Sequence, residues 1–253
     1  MKLPSPPAPS TEFKNAVGSD VPQEFAMAAR SNPGAVKEMA ETPSELKVLT
    51  TEALVRNYTL IVDRSGSMDS PDGRFASRWS SAQKAVTKLV EAIFRYDVDK
   101  SVPLYLFDDQ VEFIGECTDA SQIKGVFESY RPRGTTDLAK CLDVAMEKYS
   151  GKRVNVEHVP GSTFIVILDG GADDPEAVKR VIRKYADPAN GYVKNHCDIA
   201  ISFVQLGEDP SATAFLKDLD DNMKPLDIVD HKFDDDLYKP GGVDKVLMDA
   251  IFD

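Results

Sequence analysis

The sequence predicts an α/β domain with a doubly wound, mostly parallel central sheet, one antiparallel edge strand and helices on both faces. Three observations carry that reading. Apolar runs of strand length alternate with stretches of helical periodicity from Tyr58 to Phe252, the succession that builds parallel sheets from crossover units. Runs such as Thr163 to Leu168 are nearly continuous in apolar residues, as suits strands covered on both faces. Only Val102 to Phe107 and Val111 to Ile114 are separated by as little as Asp108-Asp109-Gln110, too short for a crossover helix and right for a hairpin, so one of that pair runs antiparallel at an edge.

The elements follow in order. Met1 to about Ser19 is rich in Pro, Ser and Ala with almost no periodicity, and such a composition cannot repay the entropy of ordering; a flexible tail is expected. From Pro22 to Leu46, Glu24 to Arg30 and Gly34 to Ala40 read as short helices broken at Asn32-Pro33, an appendage expected to cover a sheet edge or groove or to bind a partner. Residues 1–50 are thereby set apart from a domain over 51–253. After the first strand, Tyr58 to Val62, residues Ala82, Ala85, Val86, Leu89, Val90 and Ile93 recur at three-and-four spacing, which predicts an amphipathic helix from Trp79 to about Tyr96. A short helix is expected over Ser121 to Tyr130. The break Arg131-Pro132-Arg133-Gly134-Thr135-Thr136-Asp137 follows, and helical spacing resumes through Leu138, Cys141, Leu142, Ala145 and Met146, with Thr136 at the entrance. The strand Thr163 to Leu168 runs into Asp169-Gly170-Gly171-Ala172-Asp173-Asp174, where Asp173 and Asp174 are expected to cap the helix opened by Pro175. Ile199 to Leu206 is a further strand, a helix starts at Ser211, Ile228 to Phe233 is a more polar edge strand, and Val243 to Phe252 is the terminal helix.

Composition narrows the function. With 253 residues, 42% hydrophobic and 28% charged, the chain can bury one substantial core. The net charge of −12 argues against nucleic acid as a partner. Cys117, Cys141 and Cys197 are widely spaced and include no CxxC pair, so a reduced compartment is expected and no thiolate metal site. No run approaches the roughly 20 apolar residues of a membrane span, and the expectation is a soluble, cytoplasmic protein whose oligomeric state the sequence leaves open.

The stretch around which the chain is organised is Asp63-Arg64-Ser65-Gly66-Ser67, at the end of the first strand. A carboxylate followed by hydroxyls at alternate positions presents oxygen donors at the carboxyl edge of the sheet, where open α/β sheets bind ligands. Oxygen-only donors suit a hard divalent cation, Mg²⁺ above Ca²⁺, since small hydroxyl ligands leave room for the waters that Mg²⁺ retains. Thr136 and Asp169 also fall at a helix entrance and just after a strand, positions that converge on the same edge.

The pattern Asp63-x-Ser65-Gly66-Ser67-Met68, then Gly134-Thr135-Thr136-Asp137, then Leu168-Asp169-Gly170, resembles the von Willebrand factor A domain family over about Tyr58 to Phe252. The resemblance implies a Rossmann-like fold and a metal-ion-dependent adhesion site at Asp63, Ser65, Ser67, Thr136 and Asp169. By that resemblance the hydroxyls of Ser65 and Ser67 bind the cation directly, Thr136 directly or through water, and Asp63 and Asp169 often through water. An Asp or Glu of a protein partner completes the shell. The family's usual Gly-Gly-Thr is here Gly134-Thr135-Thr136, which assigns Thr136, with Thr135 as the alternative. The short bare chain looks like the intracellular branch, which includes small bacterial domains associated with tellurite resistance.

Competing readings are narrower. An isolated Asp-x-Ser-x-Ser serves equally as a helix cap and turn; the two partner segments favour the metal. Asp108 and Asp109 read as hairpin polar residues, Asp234-Asp235-Asp236 as a solvated run, and His158, His196 and His231 as surface or structural. Met68 is expected behind the site loop, and Asp69 to Phe75 reads equally as a rim of the binding surface and as an ordinary surface excursion. The rival from another class is a Mg²⁺-dependent hydrolase or phosphotransferase with Asp63 as nucleophile, but that chemistry wants a second carboxylate two residues on, where Ser65 stands. No catalytic residue and no organic cofactor are expected.

Overall fold

The computed structural model describes residues 23–40, 47, 50–150 and 160–252. The N-terminal tail and His158 lie outside the described residues. Among those described, six strands form one sheet in the order β3-β2-β1-β4-β5-β6. They are β1 Asn57–Asp63, β2 Val102–Phe107, β3 Val111–Cys117, β4 Ser162–Leu168, β5 Ile199–Gln205 and β6 Val229–Phe233. All neighbours are parallel except β2 and β3, the expected hairpin, whose second strand continues three residues past the apolar run to Cys117. The register shifts between Leu104 and Tyr105, opposite Gly115, which adopts a φ of 139° open to glycine and few other residues.

The continuous apolar runs have the burial they predict: all seven residues of β4 and all seven of β5 are buried. Alternate side chains serve two cores. Leu60, Val62, Ile165, Ile167 and Val204 face the helices Arg78–Ile93 and Gly242–Phe252; Ile61, Phe164, Val166 and Phe203 face Leu138–Tyr149 and Pro175–Ala186. At about 1.5–3 kcal/mol for each fully buried aliphatic or aromatic side chain, these two layers are what hold the sheet. Two further helices are Ser121–Ser129 and Pro210–Asn222.

The N-terminal appendage forms a helix over Gln23–Ser31 and a short one over Val36–Met39. Ala29, Val36 and Ala53 make a small core with Phe252 of the last helix, and Arg30 Nε donates to the buried Glu52 at 2.8 Å. Gly34 lies against His196 and Cys197.

In this order the chain winds outward in both directions from β1 and β4. Their carboxyl ends border the crevice at which open α/β sheets take ligands. Asp63 is the last residue of β1 and Asp169 the first after β4, so the topology alone sets the two carboxylates on either side of that crevice.

Candidate metal centre

Asp63 is fully buried, and its Oδ1 accepts the Ser65 backbone N–H at 2.6 Å, which folds the chain back over the strand end. Its Oδ2 is buried and accepts no hydrogen bond. Burial, only partly offset by the Ser65 N–H and reinforced by the negative charges of Asp169 and Asp108, pushes the carboxyl up to about 7. Beside it the hydroxyls form a relay: Ser65 Oγ and Ser67 Oγ are 2.9 Å apart, and Ser67 Oγ donates to Asp169 Oδ1 at 2.8 Å. Ser67 is exposed, Ser65 and Asp169 buried. Met68 is fully buried behind the loop, as expected.

Thr136 is brought to the same edge by backbone ties. Gly66 N donates to Gly134 O at 3.2 Å and Arg133 N to Arg64 O at 2.7 Å, joining the first and second segments; Arg64 N in turn donates to Phe107 O at the end of β2. Gly134 has a φ of 69°, and a Cβ there would come within 3.2 Å of Asp108 Cβ, so both conformation and space call for glycine. The helix cap proper is Asp137, which accepts from Lys140 N at 3.2 Å and leaves Thr136 one residue ahead of it, half-buried, with Thr135 exposed.

Two expectations need correction here. Asp174 does cap its helix, accepting from Ala177 N at 2.8 Å, but Asp173 does not: its Oδ2 accepts the Thr136 N–H at 2.9 Å while its own N–H donates to Thr136 O at 3.0 Å. This reciprocal pair ties the second segment to the third. Asp234 of the supposed solvated run is buried and ion-paired with Arg74, because the chain turns inward at the end of β6 and needs a countercharge there. Asp108 does serve the hairpin, accepting from Gln110 N at 2.7 Å, yet it is also buried beneath Arg64 and Arg133, whose Nε atoms both lie 3.0 Å from its Oδ2. His231 is structural, bonded to Gln205 Oε1 at 2.9 Å.

Sequence reasoning missed one residue of the site. Arg78 NH1 donates to Asp169 Oδ2 at 2.7 Å, closing the side of that carboxylate which Ser67 leaves free. A visible signal existed, since a basic residue in the first turn of a helix opposes the helix dipole.

The donor set fits a hard divalent cation. It contains oxygen alone, has an ionisable carboxylate with an unpartnered buried atom, and includes two hydroxyls within hydrogen-bond distance of each other. With only two carboxylates it is not a site of the His, Cys, Asp and Glu type, and no group of three or more such residues suited to a metal occurs among the described residues.

Residues 58–171 match the family model of the von Willebrand factor type A domain. Over that stretch the chain is similar to the von Willebrand factor type A domain. Solved structures agree on the fold: the SpRpn10 VWA domain superposes with a TM-score of 0.51 at 13% identity, covering 76% of this chain and 94% of that one. A conserved hypothetical protein, BatB from Bacteroides thetaiotaomicron, gives 0.50 at 17%, covering 78% and 97%. No curated protein matches the sequence. Von Willebrand factor type A domains are generally protein-interaction modules. Among the described residues no helix is long and apolar enough to cross a membrane.

Proposed function

We propose that this domain binds a protein partner through a divalent cation, Mg²⁺ in preference to Ca²⁺, held by Asp63, Ser65, Ser67, Thr136 and Asp169 and completed by an Asp or Glu of the partner. The observation that supports it is Asp63 Oδ2, a carboxylate oxygen with no hydrogen bond, buried next to paired hydroxyls at the sheet's crevice. A buried acceptor left unpartnered costs about 1–3 kcal/mol, and a cation reached through a water or directly would relieve it. Ser65, Ser67 and Thr136 are neutral, so the cation has reason to recruit a further anionic oxygen. On a surface of net charge −12 the cation would also supply the attraction that an acidic partner otherwise lacks.

The module has no turnover of its own in this reading. Ser65 occupies the position where phosphoryl transfer from Asp63 would need its second carboxylate, and the hydroxyls of Ser65 and Ser67 are engaged with each other and with the Asp169 carboxylate, with no His, Cys or Lys among the described residues bonded to them. The three cysteines are free thiols and buried, in keeping with a cytoplasmic setting.

The test is calorimetry with Mg²⁺ and Ca²⁺ on the wild type and Asp63→Ala, paired with capture of partners in Mg²⁺ or EDTA by the wild type, Thr136→Ala and Asp169→Ala. Mg²⁺-dependent capture lost in both variants is the expected result. Equal cation binding by Asp63→Ala, or a partner retained equally in EDTA and by both variants, overturns the proposal.

A further inference from the structure

The proposed cation site already contains a fixed positive charge. Arg78 opens the helix Arg78–Ile93, where a guanidinium meets the positive end of the helix dipole, an unfavourable place for it. It is nevertheless anchored at several points. Its backbone N–H donates to Ser70 O at 3.0 Å, closing the site loop, and its NH1 donates to Asp169 Oδ2 at 2.7 Å. Behind it Gly207, with a φ of 70°, leaves the room that the guanidinium uses: a Cβ there would lie 3.4 Å from Arg78 Nε. The side chain is 24% exposed and faces a cleft of about 840 Å³ that also reaches Glu208 and Asp235. Arg78 therefore links the buried Asp169 carboxylate to a cleft that is itself lined by the carboxylates of Asp72, Glu208, Asp234, Asp235 and Asp236.

The charge count changes accordingly. Counting only the two proposed ligand carboxylates and the guanidinium bonded to one of them, and not Asp173 on the Thr136 N–H, Asp63 and Asp169 bring −2 and Arg78 brings +1, so on that count a divalent cation enters at −1 and leaves the site at +1. One carboxylate from outside then brings it to zero. We propose, building on the cation-dependent function above, that Arg78 is the residue that makes cation capture depend on the acidic ligand. Its charge weakens binding of the bare cation, holds Asp169 through one N–H, and favours an incoming carboxylate at the cation. Cation and carboxylate then bind as a pair, each raising the affinity for the other by the same factor, as linkage requires. Without the guanidinium the cation would neutralise the two aspartates by itself, and the carboxylate would gain little. Arg78 is in this sense a positioning and specificity residue; it does not ligate the metal.

The experiment is Mg²⁺ calorimetry in chloride buffer with and without sodium acetate as the carboxylate probe, on the wild type, Arg78→Gln and Arg78→Lys, with circular dichroism to check folding. Acetate is expected to raise the wild-type affinity for Mg²⁺ several-fold. Arg78→Gln is expected to bind Mg²⁺ alone about tenfold more tightly, the size of effect expected of one charge a few Å away in a partly solvated site, and to respond to acetate by less than about twofold. Arg78→Lys keeps the charge and should respond like the wild type, which also covers the case in which Arg78→Gln fails to fold. A wild type whose Mg²⁺ affinity acetate does not change, or a folded Arg78→Gln that binds Mg²⁺ no more tightly, overturns the inference. If the wild type binds Mg²⁺, Asp63→Ala does not and Arg78→Gln matches the wild type, only the role of Arg78 falls; if the wild type binds no Mg²⁺, the cation reading falls with it.

Discussion

Replacing Asp63 by Asn should make the metal-free protein more stable while removing its response to Mg²⁺. The carboxyl is pushed from 3.8 up to about 7, chiefly by burial. At about 1.36 kcal/mol per pH unit, the ionised group costs the metal-free fold about 4 kcal/mol above pH 7. The sign follows from proton counting. Between about pH 4 and 7 the folded protein holds a proton that the unfolded chain has released, so wild-type stability falls as pH rises through that window and levels off above it. An amide at position 63 carries no charge and can still accept the Ser65 N–H through its oxygen, but its NH₂ lies where Oδ2 finds no partner, at a cost of about 1–3 kcal/mol. The balance is a gain of about 2 kcal/mol for Asp63→Asn at pH 8, or about 4–8 °C in melting temperature for a chain of this size. Thermal and urea unfolding in EDTA at pH 5 and pH 8 measure it. The gap should narrow at pH 5, where the wild-type carboxyl is protonated in the fold. Adding Mg²⁺ to 100 times its dissociation constant should raise the wild type by about 2.7 kcal/mol and leave Asp63→Asn unmoved. A variant no more stable than the wild type at pH 8, or a gap of the same size at both pH values, refutes the claim that Asp63 is held charged against its surroundings.

Two further outcomes follow from the same geometry. Gly134→Ala forces a side chain at φ 69° against Asp108 Cβ and should cost about 1–2 kcal/mol in urea unfolding; because Gly134 O anchors Gly66 N, Mg²⁺ affinity by calorimetry should fall about tenfold as well. Arg74→Ala strips the buried Asp234 of its countercharge and removes a guanidinium stacked 4.7 Å from the Tyr238 ring. It should cost about 1–2 kcal/mol, since Arg74 itself is partly solvated. Burial already pushes Asp234 up to about 6, against the pull of Arg74, so the loss should be larger at pH 8 than at pH 5.

The fold was legible in the sequence because its strands are buried on both faces and its helices on one, so period and length separate them. The hairpin was legible from the shortness of Asp108-Asp109-Gln110. The segments bearing Asp63, Ser65, Ser67, Thr136 and Asp169 do come together at one edge, since each ends a strand or precedes a helix and the winding of the sheet does the rest. What escaped were side chains whose partners lie far off in the chain. Asp173 looks like a cap because it stands beside one, and only the tertiary fold shows it clasping Thr136 instead, 37 residues earlier. Asp234 looks solvated in an acidic triplet, yet its countercharge is 160 residues away. Arg78 stands just ahead of the helix the sequence predicts from Trp79, and only the fold places Asp169, 91 residues later, beside it.

The backbone ties among the loops have a consequence for speed. Gly66 to Gly134, Arg133 to Arg64, Asp137 to Asp108 and Asp173 to Thr136 fasten every segment of the crevice to another before any ligand arrives. Those bonds belong to the fold itself, so the loops of the proposed site are ordered without the ion. The slow step of loading at the proposed site is then the ion's own release of its hydration shell, which Mg²⁺ gives up reluctantly. The rate of loading would be set by the ion's chemistry in water, and a faster-exchanging divalent ion would fill the same frame sooner than Mg²⁺ does.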